Sequence, residues 1–126
     1  MPPPRPTDAE LAVLRTLWQL GPSTVRHVHE RLSGSRGIGY TTVLKLLQIM
    51  LKKGLVRRDE SQRTHVYQPR CTEEQTQRQL VGDLLDRVFA GSGAKLAMHA
   101  LSARKADPAE LAEIRRWLDQ LERGAS

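Results

Sequence analysis

One cysteine, Cys71, stands alone in 126 residues. It has no partner for an internal disulfide and no second cysteine with which to build a metal cluster. Nothing in the flanking Arg70 and Thr72 marks it as a redox sensor, so it reads as an ordinary thiol between two segments. Aromatic residues are scarce, at 4%, which leaves the core to Leu, Val, Ile and Ala and suits long helices better than a β-sandwich. Long apolar runs are missing as well. No stretch approaches the roughly 18 residues that cross a bilayer, and the opening MPPPRPTDAE has no apolar signal core, so a cytoplasmic protein is expected. No Ser/His/Asp or Cys/His set, carboxylate pair or phosphate loop occurs at useful spacing, Gly34 and Gly37 being bare loop glycines. The expectation is therefore no enzyme and no cofactor. His27 and His29 are two apart, about 200° around a helix, and cannot hold one metal together.

What the chain does have is positive charge in one place. Residues 1–71 carry 12 Lys/Arg against 5 Asp/Glu, a balance of +7, whereas residues 72–126 carry 8 against 9, a balance of −1. The two parts are built for different tasks. A basic amino-terminal part suits neutralisation of phosphates, which releases condensed counterions. A membrane surface is the rival partner for basic charge, but no helix here pairs a basic face with an exposed aromatic one. Nucleic acid is favoured, and the length fits one small domain, or a small domain with a helical appendage.

The punctuation gives three short helices first. Residues 1–6 are Pro-rich and read as a disordered arm. Thr7 and Glu10 form a capping box, with Leu11, Leu14, Leu17 and Trp18 at helical spacing behind them, so the first helix runs to about Leu20, where Gly21-Pro22 ends it. Ser23 or Thr24 caps a second helix with Val25, Val28 and Leu32 as its buried stripe, and Ser33 to Gly37 forms the next loop. In the third helix, Val43, Leu46, Leu47 and Met50 share one face at about 100° per residue, while Thr41, Lys45, Gln48 and Lys52 share the opposite one. Thr, Lys and Gln are side chains able to meet the thymine methyl, guanine O6/N7 and adenine N6/N7 in a major groove.

Gly54 stops the third helix. Leu55–Asp59 and Thr64–Gln68 then alternate as two strands around the turn Glu60–Arg63, with Pro69 closing the second. This hairpin reads as the wing of a winged helix. Arg63 at or just past its tip, and Arg57 or Arg58 on its flank, are placed to grip phosphate or the minor groove. Taken alone, its charges could equally protect an edge strand from aggregation; beside the third helix the binding reading is preferred.

Beyond Cys71 the pattern is helical, interrupted at Gly91-Ser92-Gly93 and Asp107-Pro108. Leu80, Leu84, Leu85, Val88 and Phe89 stripe one helix, and Leu96, Ala97, Ala100 and Leu101 a shorter one. Asp107 caps the last helix with Pro108 at its first position, and Leu111, Ile114, Leu118 and Leu121 repeat as an a/d seam. Such a helix could fold back on its own wing domain. Dimerisation through Leu80, Leu84, Val88, Leu111, Ile114, Leu118 and Leu121 is the preferred reading, because one chain lacks the mass to cover all these stripes.

The run PTDAELAVLRTLWQLGPSTVRHVHERL, then YTTVLKLLQIMLKKGLVRRD, RTHVYQP and a final LAEIRRWLDQL, resembles the penicillinase-repressor family of bacterial transcription regulators from about Thr7 to Leu121. The most diagnostic pieces are the leading pattern met by Thr7, Glu10, Val13, Leu14, Leu17 and Trp18, and the YTTV helix start at Tyr40 to Val43. The resemblance implies a mainly α fold: a winged helix-turn-helix domain with a small β-wing over residues 7–71, then a helical dimerisation region over 72–126. It also implies a homodimeric repressor on an inverted-repeat operator. The family's DNA-facing residues fall on Tyr40, Thr41, Thr42 and Lys45, and its wing arginine on Arg63. Tyr40 and Thr42 lie nearer the edge of the helix face, where phosphate is the expected contact.

Departures from the family set further expectations. Many members carry an aromatic at the position of His65, which is read here as a neutral core histidine. The copper-responsive branch has a cysteine-rich tail, whereas this chain ends Glu122-Arg123-Gly124-Ala125-Ser126, so copper sensing by that route is not expected. In the β-lactam-responsive branch a membrane-bound sensor metalloprotease pathway leads to a cut in the helix between the wing and the last helix; the matching positions are Met98, His99, Ala100 and Leu101. Two other functions stay open at this stage. One is a small-molecule-responsive winged-helix regulator with a pocket among the carboxy-terminal helices. The other is a protein-interaction adaptor that never touches DNA, for which the +7 balance and the exposed Thr41, Lys45, Gln48 and Lys52 would be unnecessary.

Overall fold

The first helix, α1 (Asp8–Leu20), begins where the capping pattern says it should. Glu10 N–H donates to Thr7 Oγ1 (3.2 Å) while Thr7 N–H donates to Glu10 Oε1 (2.9 Å), so two orphan amides of the first turn are satisfied reciprocally. The computed structural model describes residues 5–125; of the arm expected over 1–6, residues 1–4 lie outside the described residues. Five further helices and one hairpin follow: α2 (Val25–Arg36), α3 (Tyr40–Lys53), β1 (Val56–Asp59), β2 (Val66–Pro69), α4 (Glu73–Arg87), α5 (Gly93–Ala103) and α6 (Pro108–Ala125).

Thr24, not Ser23, caps α2, its Oγ1 accepting from His27 N–H. Ser23 has another task. Its backbone exchanges two hydrogen bonds with Tyr67 on β2, Ser23 N to Tyr67 O at 2.9 Å and Tyr67 N to Ser23 O at 2.7 Å, so the turn between α1 and α2 is tied to the hairpin. The expected loop Ser33–Gly37 is mostly helix. The spacing of small residues there suggested a break, but α2 continues to Arg36 and Gly37 is its cap.

α3 ends in a Schellman turn: Leu55 N–H reaches Met50 O and Gly54 N–H reaches Leu51 O, with Gly54 at φ 83°. Only glycine takes that left-handed conformation without a Cβ penalty. The turn delivers the chain directly into β1, which pairs antiparallel with β2 in the register Val56↔Pro69, Arg57↔Gln68, Arg58↔Tyr67 and Asp59↔Val66. The hairpin is shorter at its tip than the sequence suggested. Asp59 Oδ1 accepts from Ser61 N–H at 2.9 Å and turns the chain away, an Asx turn competing with the ladder. Thr64 and His65 consequently fall outside the strands, and His65 is exposed rather than in the core.

The core collects one stripe from each element: Val13, Leu14 and Leu17 from α1, Val25, Val28 and Leu32 from α2, Val43, Leu47 and Met50 from α3, and Leu55, Val56 and Tyr67 from the hairpin. Tyr67 is its single aromatic member, in keeping with the composition. Trp18 packs against the core and donates its indole N–H to Cys71 O at 3.0 Å, anchoring the segment that leaves the wing.

The chain packs as two units, Met1–Leu80 and Val81–Ser126. The first takes in the start of α4 together with the three helices and the hairpin. Thr72 caps α4 through a second reciprocal pair, Gln75 N–H to Thr72 Oγ1 and Thr72 N–H to Gln75 Oε1, and Thr76 is buried. In the second unit Ser92 caps α5 and Asp107 caps α6, the latter as expected. The helix expected through Phe89 stops at Arg87, leaving Val88 and Phe89 in the following turn.

One ion pair joins the start of α1 to the end of α3. Lys53 Nζ lies 2.6 Å from Glu10 Oε1, whose side chain is 3% exposed. Burial of Glu10 opposes its ionisation, but the hydrogen bond from Lys53, those from Thr7 and the Lys53 charge outweigh it and hold the carboxyl below its ordinary 4.5. A lowered folded pKa means stability that is complete above the unfolded value and is lost as pH falls through the folded one. Denaturant unfolding followed from about pH 7 to about pH 3 should show the wild type losing more stability than Glu10→Gln below pH about 4.5. Parallel profiles would remove Glu10 as a contributor.

Candidate nucleic-acid interface

Core packing decides what α3 shows to solvent. With Val43, Leu47 and Met50 fully buried, Thr41, Thr42, Lys45, Gln48 and Lys52 are all exposed, and so is Tyr40 at the helix start. The rotation inferred from the helical wheel is the one observed. Tyr40 is steadied by an edge-on contact with the His29 ring, centroids 5.8 Å apart. That contact joins α2 to α3 across a tertiary distance no spacing rule reveals.

The wing adds cations beside this face. Arg63 is exposed and lines a depression with Tyr40, Thr64 and His65, so the tip of the hairpin and the start of α3 border a common space. A second depression holds Lys45, Gln48, Ile49, Leu51, Lys52 and Arg58. The two flanking arginines are not equivalent. Arg57 is exposed, whereas Arg58 is half-buried and paired with Glu60; its pKa is raised by the Tyr67 hydroxyl first and Glu60 next. Arg57 stands in solvent, whereas Arg58 is held against the hairpin by Glu60 and Tyr67. The sequence placed both on the flank but could not separate them, because the Arg58–Tyr67 pairing depends on register.

No group of three or more His, Cys, Asp or Glu among the described residues could hold a metal. No described helix is long and apolar enough to cross a membrane.

The second unit is different in kind. Among the described residues from Val81 onward, none is buried. Of the seven side chains expected at a dimer seam, Leu84, Val88, Leu111, Leu118 and Leu121 are exposed, while Leu80 and Ile114 are half-buried. Val81 and Trp117, outside that expectation, are exposed apolar side chains as well; Trp117, 67% exposed, sits three residues after Ile114 and so on the same side of α6. Met98, His99, Ala100 and Leu101 are exposed in the interior of α5. Ser102 Oγ donates back to Met98 O at 2.8 Å, a side-chain bond that competes with the helix's own amide.

Three helices followed by a two-stranded wing, with a polar and cationic face on the third helix, define a winged-helix domain. The chain belongs to the penicillinase repressor family, whose sequence profile matches residues 6–120. It is 38% identical over 119 residues to the transcriptional regulator BlaI of Mycobacterium tuberculosis, a match covering 93% of this chain and 85% of that protein. The monomeric form of Bacillus licheniformis BlaI, solved in complex with the blaP half-operator, is 27% identical with a TM-score of 0.52, over 59% of this chain and 90% of that one. A MarR family protein from Bacillus stearothermophilus is similar in fold, with a TM-score of 0.50 and 19% identity over 95% of this chain and 75% of its own.

Proposed function

We propose that this chain is a cytoplasmic, homodimeric repressor of transcription that binds an inverted-repeat DNA operator and has no catalytic role. The observation that carries the reading is the outward face of α3, Thr41, Lys45, Gln48 and Lys52, set opposite a fully buried Val43, Leu47 and Met50. In a family whose B. licheniformis member was solved on a half-operator, that face is the part that enters the major groove. Lys45 and Gln48 read base edges. Tyr40 and Thr42, at the margin, hold phosphate, and Arg63 on the wing grips the backbone or minor groove.

Dimerisation is supported by the state of the second unit. Its exposed seam of Leu84, Val88, Leu111, Leu118 and Leu121 has no buried residue beneath it among those described, and a second copy of the chain would cover it. Two wing domains held together lose association entropy once for two contacts, so affinity for a matched repeat rises by orders of magnitude. Half-sites should be centred about 10 base pairs, or a multiple of that, apart.

Relief of repression is assigned to a cut within Met98–Leu101, reached through a membrane-bound sensor metalloprotease pathway. Exposure of these residues supports access, but they are helical, and a protease needs an extended strand; local unwinding of the 11-residue α5 must come first. Severing the chain there would part the dimer seam of α6 from the DNA-binding domain.

Selection of bound fragments from sheared genomic DNA at physiological salt tests the central reading: a shared inverted repeat is expected, and sequence-independent binding or none would move the assignment to a protein-interaction adaptor. On the selected operator, Lys45→Ala should lose on the order of 1–3 kcal/mol of discrimination at one base pair, whereas Arg63→Ala should weaken all sequences and flatten the salt slope by about one. Uniform weakening by Lys45→Ala would overturn its base-reading role. Leu118→Lys should sediment as a monomer and lose at least about 100-fold in operator affinity; a dimeric Leu118→Lys would place the seam elsewhere. Mass spectrometry of the protein from induced cells should find fragments parted between Met98 and Leu101, and an intact chain leaving the operator would end the cleavage proposal.

A further inference from the structure

Ile49 is the one large aliphatic side chain of α3 left substantially in water, 43% exposed. It takes no part in the core, which draws on Val43, Leu47 and Met50 from this helix, with Leu44, Leu46 and Leu51 half-buried against them. Helix formation does not call for it either, since isoleucine is a poorer helix former than the Lys and Gln around it. Its neighbours are polar and cationic. Lys45 precedes it by one helical turn and Lys52 follows by three residues, so all three share a side of α3. Together with Gln48, Leu51 and Arg58 of β1 they border a depression of about 400 Å³.

That setting discriminates between occupants. An apolar protein surface docking on Ile49 would strip water from Lys45, Lys52 and Arg58 at a cost with no return. A polyanion with a small apolar group at its centre would satisfy both the charges and the side chain. In the major groove of DNA, among the four unmodified bases, only thymine presents such a group, its C5-methyl.

We infer that Ile49 is a specificity-determining residue that packs against the C5-methyl of one thymine in each operator half-site, next to the base edges read by Lys45 and Gln48. The inference rests on the DNA-binding reading above. It assigns the half-site a thymine at a position where hydrogen bonding alone would not demand one.

The test replaces thymines of the selected operator one at a time by deoxyuridine, which keeps pairing and removes only the methyl, and titrates the full-length protein. For wild type, one thymine per half-site should lose about fourfold in affinity on replacement, corresponding to about 0.8 kcal/mol for one buried methyl-sized group. Ile49→Ala should bind the thymine operator about as weakly as wild type binds the uracil one, and should not respond to the replacement; Ile49→Val should fall between. Thermal unfolding of Ile49→Ala should match wild type, since the side chain is outside the core. If Ile49→Ala weakens thymine and uracil operators by the same factor, or if no thymine methyl matters to wild type, the inference fails while the repressor reading stands. Failure to select any preferred sequence overturns both.

Discussion

Everything on the binding side of this protein depends on the burial of one stripe of α3. Val43, Leu47 and Met50 are fully removed from water, and each such side chain stabilises the fold by about 1.5–3 kcal/mol relative to exposure. Turning α3 by a single residue, about 100°, would take all three out of the core and bring in Leu44, Gln48 and Leu51 or Thr42, Leu46 and Ile49, a polar side chain among them either way. The hydrophobic core therefore holds the proposed recognition face in place more firmly than any contact on that face could. Lys53 reinforces the hold from the far end by reaching Glu10, a carboxylate that already closes the capping box of α1. The start of one helix and the end of another thus share one buried anion.

The two units solve the problem of a core in different ways. The first unites stripes from three helices and a hairpin and sets Tyr67 at the junction, where its side chain is buried and its backbone is bonded to Ser23. The second, over the described residues, exposes Trp117, Leu118 and Leu121 along α6 and has no buried residue of its own. That exposed apolar surface is the physical argument for the proposed homodimer. The same shallow packing makes α5 a segment that can open locally, as the proposed cut requires.

Much of this was legible in the residues themselves, wherever the governing signal is local. The capping box at Thr7 and Glu10, the Gly54 stop, and the two faces of α3 follow from spacings of three, four and seven, and were read correctly. Local signals also misled. The small residues from Ser33 to Gly37 suggested a loop where α2 continues, because turn propensity is weak against a helix already under way. His65, expected as a core histidine, is exposed, because β2 begins only at Val66 and leaves it in the wing loop. What could not be read depends on partners far apart in the chain: the Ser23–Tyr67 bridge, the His29–Tyr40 contact, the Glu10–Lys53 pair, and the distinction between Arg57 and Arg58. Ile49 and Trp117 were within reach, since both lie one helical step from residues that were singled out.

The Schellman turn at Gly54 leaves no slack between α3 and β1. From Val43, fixed in the core, to Val56, fixed opposite Pro69, every residue has a backbone bond or a buried side chain that counts positions. The segment should behave as an indivisible length in any lineage: substitutions on its outer face leave the fold intact, but one residue gained or lost would rotate the wing away from the helix. Between Glu60 and His65 no such counting applies, because β1 has ended at Asp59 and β2 does not begin until Val66. Changes in chain length among relatives should therefore gather at the wing tip, where the reach of Arg63 can be adjusted without touching the side chains on α3.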